Sequence, residues 1–204
     1  MKRYVLGALL AGGIASSYFA LRNRTPVAPA GGAGTAPVAG TAGRIGPDYL
    51  YPNPQLTAGK ADTLDAAALD ARYSDHCPKE KPTCTYSEAH RSVPEHEKTG
   101  VYDEYNVARD RRNAQHGEVD HFYPLCAGGS NDISNLWYQP AANEWNGRNF
   151  GYHQKDVLEA AICRQIKAGS LSPQEAYSRL TSDWVKFYLD LGLDKAATQS
   201  SAVE

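Results

Sequence analysis

Hydrophobic and polar positions are arranged along this chain in distinct ways, and each pattern predicts a different element. Between residues 117 and 137, two short apolar runs, Val119 to Leu125 and Ile133 to Trp137, flank Gly128-Gly129. That pattern predicts a β-hairpin with a loop too long for a tight two-residue turn. From His153 to Ala168, Val157, Leu158, Ala161, Ile162 and Ile166 recur at helical spacing, and Gly169 is placed to stop the helix. A second helix begins at Ser172-Pro173-Gln174-Glu175, with an N-cap, a proline at the first position and a capping-box glutamate. Tyr177, Leu180, Trp184, Phe187, Tyr188 and Leu191 form its buried stripe. Weaker signals predict a short helix in the Ala-rich run Thr63 to Ala71, an edge strand at Arg91 to Pro94 and a helical turn or two at Gly100 to Tyr105. Ala141 to Tyr152 is polar and aromatic and is expected to be a loop. The fold class expected is α+β, a hairpin with helices around it.

The N-terminus has a different character. Tyr4 to Leu21 carries no charge and is bracketed by Lys2-Arg3 and by Arg22 and Arg24. It is slightly short for a spanning helix, which needs roughly 20 residues, and long for a signal-peptide core. Residues 1–24 are therefore expected to be a signal peptide or a membrane anchor. The chain is expected to be exported, periplasmic or extracellular, and tethered to the inner membrane if the segment is retained. Residues 25–46 are almost all Ala, Gly, Pro, Thr and Val, which cannot bury enough surface to offset ordering entropy, so they read as a flexible linker. The folded domain is expected over 47–195, followed by a disordered tail at 196–204.

Charge narrows the choice of partners. The 204 residues carry a formal charge of −2, from 21 Lys and Arg against 23 Asp and Glu. Five of the basic residues precede Asp48, the first acid, so the rest of the chain holds 16 against 23, about −7. Such a body is a poor non-specific clamp for a polyanion. Any contact with nucleic acid must be local and assisted by a metal ion. Arg109, Arg111 and Arg112, together with Arg148 and Lys155, are the candidates for phosphate contact; a solvated loop is the plainer reading of the arginine cluster.

Four cysteines behind an export signal favour disulfides. Of the three possible connectivities, Cys77–Cys84 with Cys126–Cys163 is the one expected, and the second bridge would staple the hairpin to the helix after it. A zinc site is disfavoured because no CxxC pair exists.

The candidate chemistry lies on the hairpin. Asp120 and His121 are adjacent, and neighbouring residues on a strand point to opposite faces. They are expected where the strand ends, at a rim. Asn135 begins the second apolar run and is placed to hydrogen-bond the backbone near His121. A neutral imidazole can take a proton from water near neutral pH, and an aspartate oxygen suits a hard divalent cation. Phosphodiester hydrolysis needs both.

These residues belong to a longer run. Glu118-Val119-Asp120-His121, Pro124-Leu125, Gly128-Gly129-Ser130-Asn131-Asp132, Asn135-Leu136-Trp137, Gln139-Pro140 and Lys155-Asp156-Val157-Leu158-Glu159 together resemble the HNH endonuclease superfamily, in a branch found in many bacterial and phage proteins. The resemblance covers about 91–188 and is absent before about residue 75. It implies a ββα-metal core within about 91–190. It makes His121 the general base, Asp120 a metal ligand and Asn135 the central asparagine. The other ligand lies on the helix in that family; His153 is the favoured position here, with Asn143, Asn146 and Asn149 as rivals. It implies one divalent ion, Mg²⁺ first, with Mn²⁺, Zn²⁺ or Ni²⁺ also suited. The expected activity is cleavage of DNA, with RNA also open, leaving 5′-phosphate and 3′-hydroxyl ends. No base-reading module is visible, so low sequence specificity is expected. A catalytically inactive module of the same fold, binding DNA or a partner at the envelope, and a disulfide-rich structural protein are the alternatives.

Overall fold

The structure is a computed structural model that describes residues 50–145 and 147–194. The expected signal or anchor segment, the linker and the C-terminal tail lie outside the described residues. The fold is α+β. In chain order the elements are α1 (Ala66–Asp70), α2 (Tyr86–His90), α3 (Glu95–Glu104), β1 (Gly117–His121), β2 (Leu136–Pro140), β3 (Asn143–Trp145), β4 (Arg148–Phe150), α4 (Tyr152–Lys167) and α5 (Pro173–Asp190). No helix among the described residues is long and apolar enough to cross a membrane.

The predicted hairpin forms, with shorter strands. β1 and β2 pair antiparallel, with Asp120 opposite Trp137 and His121 opposite Leu136. Ile133 to Asn135 make a 3-10 turn instead of joining the strand. The Asp132 side chain accepts from Ser134 N at 2.9 Å and from Ser134 Oγ at 2.7 Å, which holds that turn against extension. At the other end Pro124 brings no N–H, and Leu125 to Ala127 turn as a second 3-10 segment.

The connection is held from both sides. Gly128 sits at φ +99°. A Cβ on Gly128 would meet Thr63 O at 1.9 Å, and one on Gly129 would meet Tyr123 O at 1.9 Å. The Gly-Gly pair is thus required by close approach as well as by the turn. The segment before α1 clasps it: Asp62 N donates to Gly128 O at 2.8 Å and Ser130 N to Lys60 O at 3.0 Å. This stretch, which showed no chemistry in the sequence, is a structural brace. Thr57 Oγ1 also reaches Leu136 O at 2.6 Å, and Leu50 O accepts from the buried Trp184 Nε1 at 2.9 Å.

The two long helices form over the expected residues, although Val157, one of those at helical spacing on α4, is exposed. α4 runs one residue ahead of the expected start, and Gly169 beyond its end takes φ +69°. Ser172 caps α5, accepting from Glu175 N at 3.1 Å. Leu180, Trp184, Phe187 and Tyr188 are buried in the core with Trp137 and Tyr138 of β2. α5 carries a break that the stripe did not foretell. Asp183 has φ −161° and ψ 92°, accepts from Lys186 N at 2.8 Å and receives Tyr51 OH at 2.8 Å. It acts as an N-cap inside the helix.

Two expectations change. Arg91 to Pro94 is an extended loop leading into α3, with no strand partner among the described residues. Residues 141–152 are not a plain loop, because β3 and β4 pair across two residues, Trp145 opposite Arg148. The Asn146-Gly147 dipeptide between them is a strong hairpin signal, and Gly147 takes φ +73°. Both expected disulfides are present, Cys77–Cys84 and Cys126–Cys163.

Candidate functional site

β1 sorts its side chains by alternation. Glu118 and Asp120 share one face, while His121 closes the strand on the other. α4 packs against the first of these faces and brings Lys155, Asp156 and Glu159 to it.

Lys155 is fully buried. Its ammonium donates to His121 O at 2.7 Å, approaches Asp120 Oδ2 at 3.4 Å and pairs with Glu159 one turn along α4. Burial alone would lower its pKa, but Glu159 and Asp120 outweigh that and hold the proton on. The expectation that Lys155 contacts substrate is therefore corrected: the fold uses its charge to tie α4 to the end of β1. Arg148, also expected at substrate, is exposed on β4 and pairs with Asp194 at 2.9 Å. Of the arginine cluster, Arg112 pairs with Asp103 at 2.6 Å and lies over the Tyr102 ring.

Beside Lys155 the carboxylates of Glu118, Asp120 and Asp156 converge, each offering a ligand oxygen within 4.8 Å of the others. Burial, and then the charges of Asp120 and Asp156, push Glu118 from its ordinary 4.5 up to about 7. Asp156 is also raised, by burial and by Asp120. The strand opposite adds polar atoms without partners. Trp137 Nε1 and both amide atoms of Gln139 are buried and make no hydrogen bond, and these residues face Asp120 and Glu118 in the register. His153, the helix position favoured from the sequence, is exposed in the first turn of α4, with its ring beside Tyr152 at 4.2 Å between centroids. It is not part of the carboxylate group. The helix residue in that group is Asp156, three residues on. Glu118 and Asp156 were the residues missed, although strand alternation already put Glu118 on the face of Asp120.

His121 is 7% exposed. Burial lowers its pKa, and the positive charges of Lys155 and Arg91 act in the same direction. A hydrogen bond to Asn131 and the charge of Asp120 oppose them. The balance favours a neutral imidazole, as a base requires. Asn135 is buried and makes three bonds: Oδ1 accepts from Tyr123 N at 2.9 Å, and Nδ2 donates to Tyr123 O at 2.9 Å and Ser130 O at 2.8 Å. It bonds backbone two residues beyond His121 and locks the hairpin connection; it does not touch the imidazole. The disulfide Cys126–Cys163 joins that connection to α4, with the Cα atoms 5.8 Å apart.

No family model, curated protein or solved structure matches this chain.

Proposed function

We propose that the chain is an HNH-type, metal-dependent endonuclease that hydrolyses DNA phosphodiester bonds with low sequence specificity. The reading rests on one observation: a buried imidazole at the end of a hairpin strand, next to a three-carboxylate cluster closed by the following helix. The motif run from Glu118 to Glu159 supports it.

The residues fit a divalent cation. Three carboxylates whose mutual repulsion and burial raise Glu118 and Asp156 are relieved by a positive charge among them, and an all-oxygen set suits Mg²⁺ or Mn²⁺ better than a soft metal. The partnerless indole and amide on β2 suit a hydrated ion, whose waters donate and accept. Glu118, Asp120 and Asp156 would hold it. When bound, such an ion supplies Lewis-acid stabilisation of the phosphate and of the leaving oxygen. The protein's own residues do the rest. His121 accepts the proton of the attacking water. Lys155 lies beside Asp120 and fixes the carbonyl of His121. Asn135 keeps the strand end in place. Arg91, exposed and felt electrostatically at His121, is placed to meet a phosphate beside the base. We further read the chain as exported through residues 1–24, acting as signal peptide or membrane anchor, in keeping with its two disulfides.

The acidic body favours one other reading, a non-catalytic module of the same fold. A plasmid assay separates the two. The full chain should nick supercoiled DNA with Mg²⁺ or Mn²⁺ and stop with EDTA, and His121→Ala should lower kcat by about 10²–10⁴-fold, the usual worth of a general base. Cleavage unaffected by EDTA, or equal in His121→Ala, would sink the enzyme reading.

A further inference from the structure

His121 is held from two sides. Its backbone carbonyl receives Lys155 of α4 at 2.7 Å. Its ring Nε2 lies 2.9 Å from Asn131 Oδ1 in the hairpin connection. Asn131 in turn donates from Nδ2 to the carbonyl of His90, the last residue of α2. That carbonyl is among the groups a helix leaves unpaired at its C-terminus.

The order of atoms in this chain is not a matter of choice. A backbone carbonyl only accepts, so the atom of Asn131 facing it must be the amide nitrogen. The oxygen of Asn131 then faces His121, and an oxygen of that kind only accepts. Nε2 must therefore carry the hydrogen, and Nδ1 must carry the lone pair of the neutral ring. Nδ1 is the ring atom toward Asp120, 3.9 Å from its Oδ1.

The anchor of the chain is itself braced. His90 Nδ1 lies 2.8 Å from Tyr86 O, and its ring stacks on Tyr86 with centroids 4.0 Å apart. Thr85 and Glu88 form a capping box at the start of α2. The preceding residue, Cys84, pairs with Tyr73 through backbone bonds of 2.9 and 3.0 Å and is bound to Cys77.

We propose that Asn131 is a positioning residue: set by the His90 carbonyl at the end of α2, it holds His121 in the Nε2–H tautomer and so makes Nδ1 the proton-accepting atom. The inference rests on the nuclease reading for its kinetic consequence, but not for its tautomer. A side chain that fixes the tautomer of a working histidine acts on turnover and leaves substrate binding alone.

The full chain, labelled with ¹⁵N on histidine and kept in EDTA, tests the tautomer by long-range ¹H–¹⁵N correlation of the imidazoles; the signals of His121 are identified by their loss in His121→Ala. Wild type should show the neutral Nε2–H pattern, and Asn131→Ala should lose it. In the plasmid assay with Mg²⁺, Asn131→Ala should lower kcat by about 10–100-fold with KM unchanged. A wild-type ring protonated on Nδ1, or an Asn131→Ala ring that keeps the Nε2–H pattern, would overturn the proposal. If Asn131→Ala does not fold, the wild-type spectrum decides: a neutral Nε2–H ring supports the assignment, and an Nδ1–H ring refutes it. A wild type that never cleaves DNA refutes the nuclease reading, while the spectra still decide the relay.

Discussion

On one side of His121, α2 and Asn131 offer a chain of neutral hydrogen bonds; on the other, α4 offers charge. The neutral side sets the ring and ends at a helix carbonyl. The charged side sets the backbone and the carboxylates through a fully buried lysine. Each side also has its own disulfide, Cys77–Cys84 just before α2 and Cys126–Cys163 between the connection and α4. The contrast follows from what each partner must do. A base must stay neutral, so it is positioned by groups that carry no charge. A carboxylate cluster needs a fixed positive charge beside it to be tolerated without the ion. The same neighbours would not serve both.

The largest expected effect comes from removing the charge on the α4 side. Lys155→Met leaves Asp120 and Glu159 without their partner and should cost about 3–5 kcal/mol in urea unfolding of the metal-free chain. Lys155→Met with Glu159→Leu should recover much of it, because an apolar pair of similar size replaces the ion pair. Asn131→Ala on the neutral side should cost only about 1–3 kcal/mol. Equal losses on the two sides would break the contrast.

The disulfides sharpen it next. Their loops differ, with a sequence separation of 37 for Cys126–Cys163 and 7 for Cys77–Cys84. Loop-closure entropy then assigns about 4 kcal/mol to the long bridge and about 2.5 kcal/mol to the short one. Urea unfolding of the paired Cys→Ser variants measures both. A larger loss from the short bridge would mean that the α2 side is the firmer of the two.

The smallest effect is a dependence on pH, confined to the charged side. The folded-state pKa of Glu118 is raised from 4.5 to about 7, so between those values the native state binds more protons than the unfolded one. Stability of the metal-free chain should therefore fall as pH rises from about 4.5 to about 7. Glu118→Gln should flatten that slope in thermal melts, and added Mg²⁺ should oppose it. A slope that survives both changes would place its origin elsewhere.

Much of this arrangement was legible before any coordinates. The hairpin, the two long helices, the caps at Ser172 and Gly169 and the apolar stripe of α5 follow from period and turn chemistry, which act over a few residues. Asp120, His121 and Asn135 stood out because they cluster within one supersecondary unit. The second hairpin was also written in the chain, as Asn146-Gly147, but the polar residues around it masked the signal. The extended form expected at Arg91 to Pro94 lacked a partner strand, and pairing is what makes a strand.

The roles on α4 were not legible in this way. Nothing local distinguishes His153, Lys155 and Asp156 as ligand, substrate contact or buried counter-ion. Which one meets β1 depends on the rotation of α4 about its axis, and the packing of Leu158 and Ile162 into the core sets that rotation together with the Cys126–Cys163 bridge. The partnership of Asn131 with His90 spans 41 residues and joins two elements that carry no shared pattern. Sequence alone thus determined the elements and the residue types able to do the chemistry, because propensity and periodicity are local. Tertiary structure decided which atoms meet, because a few degrees of helix rotation exchange one side chain for the next, and only the packed core chooses among them.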